Sequence, residues 1–273
     1  MTFHIHTHGQ PINRRSLLIG SLIPLMSACA PQNQQPNDSG TAHTDSSPTP
    51  SASASPNVPV SKNPITKPFK WDGPQTGLPG NGKYIAWTVD DGSSPTVVRA
   101  YAEFARRTAT RLTFFINGQY PSFEPNLDIL KPLVKSGQVQ IGNHTYSHAA
   151  LTSLDTAGIQ DELLRNDKEI QRLFGVSSKP YFRPPYGYYN AQVLQAAADV
   201  GFSRATMWYG SLADSSPISS NEIYSFAQQY AHAQHILIGH LNYEGVISVL
   251  DKIKALLDQR GLTTVTLRDY YGG

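Results

Sequence analysis

The sequence holds one cysteine, Cys29, in 273 residues. No intramolecular disulfide is available, so a folded domain in this chain must be held by its core alone. The apolar stretch that ends at Leu25-Met26-Ser27-Ala28-Cys29 carries only about ten apolar residues, whereas a helix crossing the ~30 Å hydrocarbon core needs about 20. A permanent transmembrane helix is not expected there. Charge is sparse as well, with 15% of residues Asp, Glu, Lys or Arg. Without Arg14 and Arg15, which precede Cys29, the 22 Lys and Arg fall to 20 and match the 20 Asp and Glu. A chain of that balance is formally neutral, and nothing in it points to nucleic acid or to electrostatic attraction toward anionic lipid.

What the N-terminus does have is Arg14-Arg15-Ser16-Leu17-Leu18 leading into the apolar stretch, a charged segment followed by a short hydrophobic one, as in an export signal. The paired arginines resemble a twin-arginine signal. The small residues before Cys29 resemble a lipobox, with Met26 where leucine is usual. The expected organisation is therefore a signal peptide over 1–29, a disordered Ser/Pro/Thr-rich tether over 30–63 and a catalytic domain over 64–273. The tether has almost no large apolar side chains and cannot offset its own ordering entropy. Lipidation of Cys29 would anchor the protein to the outer face of a bacterial cell membrane, with the tether giving the domain a reach of tens of ångströms. Without lipidation the protein would be secreted.

From Pro64 onward the composition turns to aromatic and β-branched runs separated by stretches of helical period. Strands are predicted at Tyr84 to Val89, Leu112 to Ile116, Val139 to Ile141, Tyr181 to Phe182, Ala205 to Trp208, Ile236 to Ile238 and Thr264 to Leu267. Helices are predicted at Thr96 to Arg107, Leu127 to Lys135, Ile159 to Phe174, Ala191 to Val200, Asn221 to Ala233 and Val246 to Gln259. Gly137, Gly175, Gly201 and Gly261 follow helical stretches, where a left-handed residue ends a helix. Repeated βα units imply an α/β fold with a mostly parallel sheet, either a closed barrel or an open doubly wound sheet. Seven strands favour an incomplete or distorted barrel over the eightfold form.

The chemistry-bearing residues stand at the ends of the apolar runs. Asp90 and Asp91 end the first, followed by Gly92. One acid can bind a metal while the other acts as base, although a turn with a helix cap would use the same residues. His144 and His148, four apart after the third run, can converge on one ion. An Asp and two His leave positions on zinc, or a similar divalent ion, open for water and substrate. Arg183-Pro184-Pro185-Tyr186-Gly187 is a rigid loop that can aim the Tyr186 amide at a developing oxyanion and the Arg183 guanidinium at Asp90. His240 ends the sixth run, and the required acid opposite the base has no better candidate.

These motifs resemble the polysaccharide deacetylases of carbohydrate esterase family 4, the NodB-like domain, from about Lys83 to Leu267. Thr88-Val89-Asp90-Asp91-Gly92, His144 to His148 and Arg183 to Gly187 match three family motifs in order. Ile238-Gly239-His240 matches a fourth less closely, and Thr113 to Gly118 looks like the family's second strand. The resemblance implies a distorted (β/α)7 barrel. It further implies Asp91, His144 and His148 as metal ligands, Asp90 as base, Arg183 orienting Asp90, His240 as acid and the Tyr186 amide at the oxyanion. The family's Asp-x-x-Asp-Trp motif is altered here to Ser211-Leu212-Ala213-Asp214-Ser215. Asp214 can still orient His240, while Ser215 removes an aromatic wall from the acyl pocket and so bears on substrate preference.

The implied activity is Zn2+-dependent removal of N-acetyl groups from N-acetylglucosamine-containing cell-wall polysaccharide, by a protein expected to be a monomer. O-acetyl xylan esterase activity would use the same site, and a surface carbohydrate-binding role is the non-enzymatic alternative. Tyr188, Tyr189, Trp208, Tyr209 and Tyr243 are aromatic candidates for sugar stacking.

Overall fold

A computed structural model describes residues 62–273. The export segment, Cys29 and nearly all of the expected tether lie outside the described residues.

The strands are β1 (Tyr84–Asp91), β2 (Leu112–Ile116), β3 (Val139–Asn143), β4 (Tyr181–Phe182), β5 (Arg204–Ala205), β6 (Gly210–Ser211), β7 (Ile236–His240) and β8 (Thr263–Thr264). The helices are α1 (Pro95–Thr108), α2 (Leu127–Lys135), α3 (Thr156–Phe174), α4 (Ala191–Asp199), α5 (Ser220–Tyr230), α6 (Leu250–Gln259) and α7 (Leu267–Tyr271). Neighbouring strands are parallel in the order β5-β4-β3-β2-β1-β7-β6, with β8 pairing the start of β1. A flat row of seven strands would hold its outer members about 29 Å apart. Those members, β5 and β6, are joined by residues 206–209, a link that spans at most about 18 Å. The row must therefore curl, and the result is a distorted (β/α)7 barrel.

Side chains alternate across the curled sheet, as the two-residue repeat of a strand requires. On β1, Ile85, Trp87 and Val89 join the core under the helices, while Ala86 belongs to a second cluster with Phe115, Tyr181 and Ile236. Thr88 and Asp90 share the Ala86 side, so Asp90 emerges at the carboxyl end of the barrel interior. Tyr270 and Tyr271 of α7 belong to the interior cluster and are buried. The buried ion pair of Arg111 with Asp269, 2.5 Å long, fastens α7 to the residue before β2.

Helix boundaries follow their capping residues. Ser94 accepts from the Val97 amide at the start of α1, with Pro95 in the first turn, and Asp155 accepts from Gly158 at the start of α3, which ends on left-handed Gly175.

Two predicted strands are corrected. Ala205 to Trp208 is not one run: the Thr206 amide donates to Phe182, that of Met207 to Gln75, and that of Tyr209 to Ile236. The backbone changes partner at each step, because this is where the barrel closes. Thr264 to Leu267 is cut short because Thr266 and Asp269 form a capping box that starts α7. The helix predicted over Val246 to Gln259 begins as a 3-10 segment, Glu244–Val249, and becomes α-helical at Leu250.

Candidate active site

Adjacent residues on a strand point to opposite sides, so Asp90 and Asp91 can share a cavity only if the backbone leaves the strand pattern between them. It does: Asp91 has φ 73° and Gly92 φ 118°. A side chain at Gly92 would place its Cβ 2.2 Å from the Phe123 ring. Glycine is therefore required there twice over, by conformation and by space. Thr145, His148, Tyr186 and Ala213 also have positive φ, so strained non-glycine backbone gathers around this cavity.

The histidine loop after β3 is held from beneath by buried amides. Asn117 donates to the His144 carbonyl and, at 3.1 Å, to that of Thr145. Asn143 accepts from the Thr145 amide and from Asn166, which also donates to the Ile116 carbonyl. The Glu162 carboxylate accepts from the amide and hydroxyl of Ser147 at 2.8 and 2.7 Å. Asn117, Asn143 and Asn166 are all fully buried. The amide donors of all three are used, although the Asn117 and Asn166 oxygens have no partner among the described residues, and these donated bonds fix the loop shape.

Asp91, His144 and His148 offer ligand atoms that all lie within 4.8 Å of one another. The Nε2 atoms of both histidines stand 3.4 Å from Asp91 Oδ1. That oxygen is buried without a hydrogen-bond partner among the described residues, while Oδ2 accepts from Asn242 at 2.7 Å. The Arg183 carbonyl lies 2.8 Å from His144 Nδ1, which places the proton on Nδ1 and leaves Nε2 with a free lone pair. Burial, and then the neighbouring His144, hold His148 below the ordinary histidine value, the neutral form a metal needs. A buried orphan carboxylate oxygen facing two imidazole nitrogens fits a divalent cation.

Asp90, 2% exposed, is paired with the fully buried Arg183 at 2.5 Å. Arg183 also donates to the Thr206 and Met207 carbonyls at 3.1 and 3.0 Å and lies over the Phe115 ring. The guanidinium is therefore pinned on several sides. Tyr186 follows in the first turn of a short 3-10 segment, Pro185–Gly187, where an amide has no carbonyl partner within its own helix. Its ring packs edge-on to His148 with centroids 4.6 Å apart.

His240 stands beside Asp90 on the paired strand β7, and Asp214 accepts from its Nδ1 at 3.0 Å and from its amide at 3.2 Å. Burial is the largest single influence on His240 and lowers its pKa. The Asp214 hydrogen bond and charge, with Asp90 and Asp91, outweigh it and leave the value raised. The imidazolium is thus favoured more than in a free histidine, and the cavity of about 420 Å³ is lined by two halves, Asp90, Asp91, His144 and His148 on the β1 and β3 side and His240, Trp208, Ser211 and Ser215 on the β6 and β7 side.

Every site residue named from the sequence stands at this cavity or directly behind it, Arg183 and Asp214 being the two set behind. Of the aromatic candidates, Trp208 lines the cavity, while Tyr188, Tyr189, Tyr209 and Tyr243 are exposed. Sequence reasoning missed Asn242, which holds Asp91, and the three buried asparagines of the loop support. Asn242 lies two residues beyond His240, a spacing with one detectable cue. Asn166 sits mid-helix and carries no local signal.

Residues 77–205 match the polysaccharide deacetylase family model. That stretch includes the two acids, both histidines and the arginine loop, and ends before Asp214 and His240. The chain is 28% identical over 193 residues to a peptidoglycan-N-acetylglucosamine deacetylase of Bacillus cereus, covering 69% of this chain and 68% of that one. It is 29% identical over 179 residues to a bifunctional xylanase/xylan deacetylase of Cellvibrio japonicus, covering 66% of this chain and 26% of that much longer one. The solved structure of a peptidoglycan N-acetylglucosamine deacetylase has the same fold, with TM-score 0.64 at 24% identity, covering 72% of this chain and 91% of that one. With its motifs in order on the matching barrel, the chain carries a polysaccharide deacetylase domain, of the NodB-like carbohydrate esterase family 4.

Proposed function

We propose that this protein removes N-acetyl groups from N-acetylglucosamine-containing cell-wall polysaccharide, using Zn2+ or a similar divalent ion held by Asp91, His144 and His148. The observation that carries the reading is the partnerless Asp91 Oδ1, 3.4 Å from two imidazole nitrogens and beside the Asp90–Arg183 pair. Such an ion, when bound, would supply Lewis acidity toward the acetyl carbonyl and lower the pKa of bound water toward ~7.

The remaining work falls to the chain. Asp90, oriented by Arg183, accepts a proton from the attacking water. The Tyr186 amide donates to the oxygen that gains charge, a contact whose loss typically costs about 2.7–4 kcal/mol of barrier lowering. His240, kept protonated and oriented by Asp214, gives its proton to the leaving amine, which is too basic to depart without one. Acetate and a free glucosamine amine result. All these groups come from one chain, which supports action as a monomer.

Residues 14–29 support export and lipid anchoring at Cys29, facing the wall, with secretion as the outcome if Cys29 is not lipidated. The likeness to a xylan deacetylase favours O-acetyl ester cleavage as the second reading. The experiment is acetate release by the purified protein from N-acetylated glycan and from O-acetylated xylan, with chelator and with zinc restored. Zinc-restored release from the glycan is expected. Release from xylan alone would favour the esterase, and bound metal with no release from either would favour a binding role.

A further inference from the structure

The two walls of the cavity differ in what their polar atoms still need. Asp91, His144, His148 and Asp90 are committed to the ion and to proton transfer under the reading above. On the other wall stand Trp208, Ser211, Ser215 and Ile238. The strand order sets β6, which carries Ser211, beyond β7, β1 and β2 from β3, the strand that the histidine loop follows.

An amide in this site has three substituents to place. Its oxygen belongs beside the metal ligands and the Tyr186 amide. Its nitrogen carries the sugar, which is too large for a cavity of about 420 Å³ together with the rest of a glycan and must leave through the mouth past His240. The acyl carbon chain is left with the wall of Trp208, Ile238 and the two serines. Ile238 is 3% exposed and Trp208 half-buried, so they can clamp a short carbon chain.

The serines make that wall unlike one built for a bare methyl group. The Ser211 hydroxyl accepts from the Ala213 amide at 2.9 Å. This uses a lone pair and leaves its proton without an acceptor among the described residues. Ser215 makes no hydrogen bond among the described residues and stands at the rim, exposed. A methyl group set against the half-buried Ser211 hydroxyl strips water from it and returns nothing, whereas a hydroxymethyl group replaces the lost water. A site with hydrogen-bonding groups aimed at a substrate hydroxyl disfavours the analogue that lacks it.

We propose that the amide this site takes best is a 2-hydroxyacyl amide, hydroxyacetyl being the smallest, with Ser211 and Ser215 as the residues that select it. The inference rests on the deacylase reading above and narrows its substrate. The balance is that of any amide hydrolysis: the C–N bond breaks, a C–O bond forms to the water oxygen, the nitrogen takes a proton, and hydroxyacetate leaves in place of acetate.

The test compares matched chito-oligosaccharides carrying N-hydroxyacetyl or N-acetyl groups, with kcat/KM of the full zinc-loaded chain measured from each released acid. The expected ratio of hydroxyacetyl to acetyl exceeds one. Ser211→Ala should lower that ratio about tenfold, the worth of one hydrogen bond, while Ser211→Thr, which keeps the hydroxyl, should retain it. Ser215→Trp should reduce hydroxyacetate release more than acetate release. A ratio below one in the unaltered protein overturns the proposal, as does a ratio that none of the three variants moves. Release of neither acid would instead overturn the deacylase reading beneath it, so the two failures are distinct.

Discussion

The two halves of the cavity are built to different tolerances. On the β1 and β3 side, Asp91 is turned by a left-handed backbone and tied by Asn242, and the histidine loop rests on Asn117, Asn143, Asn166 and Glu162. On the β6 and β7 side, His240 leans on one carboxylate, Asp214, and the neighbouring serines keep hydroxyls to spare. Ligands to an ion must be placed within about 0.2 Å, so that half is over-determined. The half that carries His240 and the two serines has fewer constraints.

Breaking the rigid half should have the largest effect. His144→Ala is expected to abolish metal retention together with activity, checked by elemental analysis and acetate release. Asp90→Asn should keep the metal and lose about 10²–10⁴-fold in turnover, the usual worth of a positioned base. Unchanged turnover in that variant would refute Asp90 as the base.

Next comes Asn242→Ala, which frees Asp91 Oδ2 from its only donor among the described residues. Loss of such a supporting contact typically costs about 10–100-fold in metal affinity, measurable by competition with a chelator, and the barrel's melting temperature should barely move. An affinity equal to the parent's would show that the turned backbone alone holds Asp91.

The opposite half is sharpened by pH. His240 is raised by Asp214, so the rate that requires its protonated form falls only as pH climbs through that raised value. In Asp214→Asn the lowering by burial is left with less to oppose it. The alkaline limb of kcat should then shift to lower pH, and an unmoved limb would detach His240 from that limb. The smallest effect is expected far from both halves. Ser94→Ala removes the cap of α1 and should cost about 1 kcal/mol of stability, read by thermal melting, with kcat unaltered.

Much of the fold was legible because local rules held. The runs at Leu112 to Ile116 and Tyr181 to Phe182 and the helix at Leu127 to Lys135 stand where the pattern places them. The glycines after the helices have positive φ. The pattern failed where the chain answers to distant partners. The amides of Thr206, Met207 and Tyr209 donate in turn to β4, to Gln75 and to β7, and nothing within the segment announces that. Thr264 to Leu267 reads as β-branched strand, yet Thr266 closes a capping box with Asp269.

The sequence by itself determined which groups are present, their order along the chain and their places at strand ends, because apolar period and motif spacing are local properties. Only the tertiary structure decided that Asp90 and Asp91 face one cavity, that Arg183 is spent on Asp90, that Asp91 Oδ1 is left without a partner among the described residues, and that Ser211 lines the same cavity. Each of these depends on residues about 30 to 150 positions apart being brought together as the barrel curls, and on the burial that then makes every unpaired polar atom costly.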